Sequence, residues 1–150
     1  MLTVTSIRTQ RLVPGQTSER GLIDTSVAIV LETIDAARLP ADIAISALTL
    51  AELTSGPYAA GSESVRARRQ DHLQRIEAGL ECLDFDATCA RAYGQIFSAT
   101  RRIGRKARGA RSIDLMIAAT ALAYALPLYT LNAADLRGLE ELIEIVDLGG

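Results

Sequence analysis

The sequence predicts a single α/β domain in three layers, in which helices cover both faces of a mainly parallel sheet of four or five strands. Three observations predict it. The chain has 150 residues, the size of one domain. Its composition is 49% hydrophobic and 23% charged, a globular balance that excludes a disordered chain. Short apolar strand candidates alternate with helix candidates of about ten or more residues, which is typical of parallel sheets.

The predicted elements follow one another in regular order after residue 20, so residues 21–150 are expected to form the domain and residues 1–20 an N-terminal extension. The strand candidates are residues 22–23, 43–45, 82–85, 128–131 and 142–148. The helix candidates are residues 26–37, 47–56, 62–79, 87–103 and 113–125. The helix-capping candidates are Thr25 or Ser26, Ser46, Asp86 and Ser112.

Charge and cysteine content exclude several classes of protein. The net charge is −2, so any nucleic-acid binding must come from local clusters of basic residues. Cys82 and Cys89 are too few for a disulfide framework and suit a reducing compartment. The longest apolar stretch, residues 115–128, is too short to span a membrane, and no secretory signal is recognisable. A soluble cytoplasmic protein is expected.

Three acids stand alone in the most apolar parts of the chain. Asp24 is the only charged residue of residues 21–31, Glu52 of residues 43–62 and Asp114 of residues 112–134. Carboxylates are rarely buried unless they are paired or bind a metal. Asp24 and Asp135 each follow a predicted strand, where ligands of open parallel sheets bind. Four acids meeting at one rim would repel, and a hard divalent cation would relieve that repulsion.

Each acid also has a structural interpretation. Asp24 can cap the following helix, Asp114 suits the first turn of a helix, and Asp135 suits a turn. Glu52 has the weakest such interpretation because a mid-helix Glu caps nothing. For the fourth ligand we favour Asp135, whose carboxylate attracts a cation more than the Asn132 amide does; Asn132 is expected to position water or the turn.

Basic residues cluster in two places. Residues 101–111 contain six basic and no acidic residues and lead into Asp114, so Arg105, Lys106, Arg108 and Arg111 are candidates for phosphate contacts, although a solvated face is the alternative. Arg66, Arg68 and Arg69 form a second cluster, interpreted as solvated or interfacial. The single histidine, His72, lies in the same arginine-rich helix and is predicted to be a surface residue.

Four segments resemble, in order, the motifs of PIN-domain ribonucleases. Residues 22–26 (LIDTS) resemble the opening strand and first motif, and residues 46–53 (SALTLAEL) the second, which carries the Glu. Residues 114–121 (DLMIAATA) resemble the third motif, and residues 130–136 (TLNAADL) the fourth. The resemblance covers about residues 21–148, and the single-domain layout is similar to that of VapC-like toxins of VapBC toxin–antitoxin pairs.

The resemblance implies a function as well as a PIN-like α/β/α fold. It implies a ribonuclease that depends on Mg²⁺ or Mn²⁺ and hydrolyses RNA phosphodiester bonds, with no His required. It also implies a homodimer neutralised by a small antitoxin. The residues matched to catalysis and metal binding are Asp24, Glu52, Asp114 and Asp135, with Thr25, Ser26 and Asn132 in support. Residues 1–20 and the Leu after Asp135, where Phe is commoner, depart from the family pattern.

Two other functions fit the sequence less well. A phosphoryl-transfer domain of the receiver or haloacid-dehalogenase type would require paired acids, a late Lys or an Asp-x-Asp motif, whereas Thr25, Ser26 and Val27 follow Asp24. A non-catalytic RNA- or protein-binding module would tolerate loss of the acids, and all of them are present.

Overall fold

The core of the protein is a five-stranded parallel sheet with the strand order β3-β2-β1-β4-β5. The structure, a computed structural model, describes residues 19–104 and 110–150. The strands are β1 Arg20–Ile23, β2 Asp42–Ser46, β3 Glu81–Leu83, β4 Leu128–Thr130 and β5 Ile145–Asp147. The prediction of a parallel sheet is confirmed, with the larger of the two expected strand numbers. β1 occupies the centre, because Leu22 is in register with Ala44 of β2 and Leu128 of β4.

Helices connect the strands. They are α1 Thr25–Ile29, α2 Ala47–Ser55, α3 Glu63–Gly79, α4 Ala87–Arg102 and α5 Ala110–Ala123. Short 3-10 helices lie at Leu31–Thr33, Ala36–Arg38, Pro57–Ala59 and Ala133–Leu136. Among residues 19–104 and 110–150, no helix is long and apolar enough to cross a membrane.

The two faces of the sheet bury separate apolar clusters, as the three-layer prediction requires. Leu22 points into the cluster formed with α4 and α5, whereas its neighbour Ile23 points into the cluster that contains Val27 of α1 and Ile76 of α3. Successive side chains of a strand point to opposite faces, so this alternation places one layer of helices on each side. Gly21 of β1 has no space for a side chain, since an added Cβ would lie 2.5 Å from Tyr129 Cε1.

Polar side chains cap two of the helices as predicted. Ser46 Oγ accepts a hydrogen bond from Thr49 N, and Asp86 Oδ1 accepts one from Cys89 N. The predicted cap at Thr25 or Ser26 is wrong. Asp24 caps α1 and accepts from Val27 N, so its structural interpretation is correct alongside any role in chemistry.

Two helix boundaries differ from the prediction. The first helix ends at Ile29 instead of continuing to residue 37, and two 3-10 turns follow it, the second of which starts where the Asp35 side chain accepts from Ala37 N. Near residue 112 the helix begins earlier than expected, at Ala110, so Ser112 lies inside α5 and does not cap it. Asp114 therefore lies one turn further into the helix than its first turn.

The predicted extension, residues 1–20, lies outside the described residues except for Glu19 and Arg20. Arg20 already belongs to β1, where its guanidinium donates a 2.7 Å hydrogen bond to Glu81 Oε2. The sheet therefore begins at least one residue before the predicted boundary at residue 21.

Candidate active site

The carboxyl ends of β1 and β4 lie side by side and open into a small cleft of about 40 Å³. We call it the acidic cleft. It is lined by Asp24, Ser26, Asp114, Leu128, Thr130, Asn132, Asp135 and Leu136. Three of the four predicted acids thus share one cleft, together with the supporting residues Ser26 and Asn132. A cleft of this volume has room for one to a few water molecules or a small hydrated ion.

Asp24 is held at the end of β1 by two donors. The Ser26 hydroxyl donates to Asp24 Oδ1 at 2.6 Å, and Val27 N donates to the same oxygen at 3.1 Å. Ser26 Oγ also accepts from Leu131 N at 3.1 Å. Ser26 therefore fixes the carboxylate and joins the end of β1 to the end of β4.

Glu52 reaches the same region from the middle of α2, half-buried. The Thr25 hydroxyl donates to Glu52 Oε1 at 2.6 Å, which assigns Thr25 a supporting contact. Glu52 does not line the acidic cleft; it lines an adjoining groove that also contains Thr25. The four acids are therefore arranged as three in the cleft and one at its border.

The pKa of the Asp114 carboxyl is shifted by its surroundings. Burial raises the pKa of the Asp114 carboxyl, and the carboxylates of Glu52, Asp24 and Asp135 raise that pKa further, in this order. The Arg111 guanidinium opposes the shift. The other three predicted acids therefore all lie within electrostatic range of Asp114. Asp114 keeps an exposed surface at the rim, where a cation can reach it.

The fourth segment is a 3-10 turn, Ala133–Leu136, that follows β4. Asp135 is exposed on this turn, and its backbone N–H donates to Asn132 O at 2.9 Å. Asn132 N donates to Thr130 Oγ1 at 3.0 Å. Asn132 and Asp135 both line the acidic cleft, so their positions leave both available for the roles predicted for them.

Of the four predicted RNA-binding residues, the structure describes only Arg111. Arg105, Lys106 and Arg108 lie outside the described residues. Arg111 is half-buried and donates a 2.6 Å hydrogen bond from Nη2 to the Asp135 backbone carbonyl. This contact gives Arg111 a structural task, the tethering of the turn that carries Asp135 to α5. A phosphate contact by Arg111 remains a prediction.

A second opening, which the sequence did not predict, adjoins the acidic cleft on the side of Glu52. We call it the arginine groove; its volume is about 520 Å³. It is lined by Thr25, Ile29, Glu52, Leu53, Ser55, Gly56, Arg68, Arg69, His72 and Leu73. In the sequence, only the cluster of Arg66, Arg68 and Arg69 pointed to this groove. Helical spacing alone did not show which of these arginines face α1 and α2.

His72, predicted to be a surface residue, lines the arginine groove and is only partly exposed. The ring is half-buried, and Nε2 lies 2.8 Å from the backbone carbonyl oxygen of Ala28 in α1. The contact joins α3 to α1 across 44 residues of sequence, so no local pattern could have indicated it.

The donor set fits a hard divalent cation. Carboxylate oxygens, the Asn132 amide and backbone oxygens are the ligands that Mg²⁺ prefers, and Mg²⁺ usually keeps several waters and takes only one or two carboxylates. In the described part of the chain, no three His, Cys, Asp or Glu side chains already surround one point as a ligand group. Metal binding through one or two carboxylates and waters remains compatible with that arrangement, and the ligand assignment stays a prediction.

Comparison with known proteins identifies the fold family. The family model described as the PIN domain matches residues 22–141, which include all four acids. The chain belongs to the PIN-domain family. The match begins at β1 and ends beyond the turn that carries Asp135, so the acidic cleft lies entirely within the PIN domain.

Two curated proteins resemble this PIN domain over most of its length. Ribonuclease VapC5 of Mycobacterium tuberculosis is 37% identical over 117 residues, which cover 76% of this chain and 84% of that protein. Plasmid stability protein StbB of Pseudomonas syringae pv. tomato is 34% identical over 116 residues, which cover 68% of this chain and 80% of that protein.

A solved structure shows the same architecture. VapBC-5 of Mycobacterium tuberculosis, a member of the VapBC family of toxin–antitoxin systems, superimposes with a TM-score of 0.74 at 34% identity. The alignment covers 87% of this chain and 99% of that chain. The fold expected from the sequence, a PIN-like α/β domain, is confirmed, as is the resemblance to VapC proteins.

Proposed function

We propose that this PIN domain is a metal-dependent endoribonuclease and the toxin of a VapBC-type pair. The observation that carries the proposal is the set of four carboxylates at the acidic cleft and its border: burial raises the pKa of Asp114, and the charges of Glu52, Asp24 and Asp135 raise it further. A fold that brings like charges together favours the binding of a cation there. The 37% identity to a ribonuclease, VapC5, supports RNA as the substrate class.

Asp24, Asp114 and Asp135 would hold the cation, one or two of them directly and the rest through water, with Glu52 contributing from the border of the cleft. A bound Mg²⁺ or Mn²⁺ supplies a water of lowered pKa and stabilises the negative charge that develops on the phosphate. Ser26 keeps Asp24 in place through a 2.6 Å hydrogen bond, and Thr25 does the same for Glu52. Preorganised carboxylates avoid reorganisation during the reaction, which is the main contribution a protein makes to such a site.

The Asn132 side chain is available beside Asp135 to orient a water or a phosphate oxygen, since both residues line the cleft. In the VapBC-5 structure the related toxin belongs to a toxin–antitoxin system. By the same relationship we propose that a small antitoxin neutralises this chain, that the chain forms a homodimer, and that it acts on RNA in the cytoplasm.

Cleavage of RNA with and without chelator tests the activity. The full chain should cleave single-stranded RNA internally in Mg²⁺ or Mn²⁺, lose this activity in EDTA and regain it on addition of metal. Asp24→Asn and Asp114→Asn should abolish cleavage with the fold retained. Asp84→Asn is the matched control, because Asp84 is an exposed acid that does not line the cleft.

The possible results separate this proposal from its alternative. Full cleavage by Asp24→Asn or Asp114→Asn would refute the assignment of these acids. Binding of RNA without cleavage under any divalent metal would support a non-catalytic RNA-binding module instead. The toxin role is tested by expression: growth should stop with the wild-type chain alone and recover when an antitoxin encoded beside it is co-expressed.

A further inference from the structure

The arginine groove combines two kinds of surface in one opening between α1, α2 and α3. Its volume of about 520 Å³ lies within the range of pockets that bind small organic ligands. The groove shares Thr25 and Glu52 with the catalytic residues, so whatever occupies it lies next to the acidic cleft. An occupant must therefore suit both the groove and the substrate of that cleft.

The positive charges of α3 differ according to the side they face. Away from the groove, Arg75 Nη2 lies 3.1 Å from Asp71 Oδ2 and Arg66 Nε lies 3.9 Å from Glu63 Oε1. In the groove, Arg69 donates only to the Gly56 carbonyl, at 2.9 Å, and is paired with no carboxylate of residues 19–104 or 110–150.

Arg68 is the more available of the two groove arginines. It forms no hydrogen bond and no ion pair within the part of the chain that the structure describes. An unpaired guanidinium offers several N–H donors in a planar fork that suits phosphate oxygens. The groove therefore contains two guanidinium groups that are available to bind an anion.

One part of the groove wall is apolar. Ile29 on α1 is 58% exposed, and the buried residues Leu53 of α2 and Leu73 of α3 also line the groove. A flat apolar group can stack on this wall while an attached anion reaches Arg68. A nucleotide has both parts, a base and a phosphate.

We propose that the arginine groove binds one nucleotide of the RNA next to the scissile bond, with its base against Ile29 and its phosphate at Arg68. This inference rests on the proposed ribonuclease function and names a substrate subsite for it. Electrostatics favour RNA over a protein segment here. A polyanion that approaches four carboxylates is repelled, and cations beside the cleft offset that repulsion. An uncharged protein segment is not repelled by the carboxylates, so its binding would gain no comparable advantage from Arg68 and Arg69.

Binding of a short fluorescein-labelled single-stranded RNA, measured by fluorescence anisotropy in EDTA at a series of salt concentrations, tests the subsite without cleavage. Arg68→Ala should weaken binding by about threefold to tenfold and lower the slope of log K against log salt by about 0.7. Arg68→Glu should weaken binding further. Arg66→Ala is the matched control, two residues away on α3 and outside the groove lining, and should bind as the wild type does.

A second measurement tests the base-binding wall. Single abasic nucleotides are placed at successive positions of the RNA around the cleavage site. In the wild type, loss of the base at one position should raise KM with little change in kcat. In Ile29→Ala the same abasic nucleotide should cause no further increase, because the wall that held the base is already gone.

Unchanged RNA affinity and salt slope in both Arg68 variants would overturn the subsite while leaving the cleavage proposal intact. The same result together with loss of co-purification of the co-expressed antitoxin from Arg68→Glu would assign the groove to the protein partner. Because the anisotropy assay contains no metal, a chain that binds RNA through Arg68 but never cleaves it would overturn the catalytic proposal alone.

Discussion

The hydroxyl of Thr25 donates a 2.6 Å hydrogen bond to Glu52 Oε1. Since this uses the only hydroxyl proton of Thr25, Thr49 must donate the 3.1 Å hydrogen bond between Thr49 Oγ1 and Thr25 Oγ1. Ser46 Oγ in turn donates to Thr49 Oγ1 at 3.4 Å. Three hydroxyls therefore point their protons in one direction, toward the Glu52 carboxylate.

Removal of one hydroxyl should disorient Glu52. Thr49→Val, which keeps the shape of the buried side chain, should lower kcat/KM for RNA cleavage by about tenfold, because a hydrogen bond that supports a charged group contributes about 1.5–3 kcal/mol. Thr49→Ser should restore most of the activity. Thr54→Val on the same helix is the control, since the Thr54 hydroxyl bonds only to Leu50 O on the exposed side. Equal activity of all four proteins would show that Glu52 does not depend on this support.

Metal-free stability should depend on pH through Asp114. Burial and the carboxylates of Glu52, Asp24 and Asp135 raise its pKa in the folded chain, so the folded state binds this proton more tightly than the unfolded state. Stability in EDTA should therefore fall as pH rises from the ordinary Asp range, near about 4, through the raised pKa. Urea denaturation across this range should show the decrease in the wild type.

Asp114→Asn should remove that decrease and be more stable than the wild type above the window, because one repelling charge is gone. Addition of Mn²⁺ to the wild type should cancel the penalty. A variant that is less stable than the wild type at neutral pH in EDTA would contradict the repulsion inferred for the four acids.

The fourth metal ligand can be assigned by titration of Mn²⁺. Asp135 and Asn132 both line the cleft, and a carboxylate attracts a cation more strongly than an amide. Asp135→Asn should therefore lose more Mn²⁺ affinity than Asn132→Ala. The reverse order would make Asp135 a turn residue and leave three acids at the site.

Arg111 should contribute to stability through its contact with the Asp135 backbone. Arg111→Ala removes the 2.6 Å hydrogen bond to that carbonyl and should lower the free energy of unfolding by about 1 kcal/mol. Amide hydrogen exchange should increase at residues 133–136. Arg137→Ala, an exposed arginine next to the same turn, should change neither measurement. Unaltered hydrogen exchange and stability in Arg111→Ala would contradict this structural role and favour a role of Arg111 in phosphate binding.

Local rules were enough to predict most of what positions the acids. Ser46 and Asp86 are capping residues followed by apolar periodic segments, and both cap the helices expected of them. Asp24 at a strand end and Glu52 alone in an apolar helix pointed to one rim, and both lie close enough to Asp114 for their charges to raise its pKa.

What the sequence missed depends on contacts between distant segments. The bond from His72 to Ala28 O and that from Arg111 to Asp135 O each join elements that are far apart in the chain. The support of Glu52 by Thr49 could have been predicted, since Thr49 lies one helical turn before Glu52 and shares its face. The early start of α5 at Ala110 had no such signal, because Ser112 is a good capping residue that the fold does not use as one.

The central place of β1 has a consequence for how the domain folds during synthesis. β1 is among the first segments of the domain to leave the ribosome, yet one of its two neighbours in the sheet is β4, and the Ser26–Leu131 hydrogen bond spans 105 residues. Pairing across so long a separation has to wait for the later segment to be synthesised. The acidic cleft therefore cannot assemble on a nascent chain before β4 and Asp135 emerge, so any activity that depends on this cleft begins only after that point of synthesis.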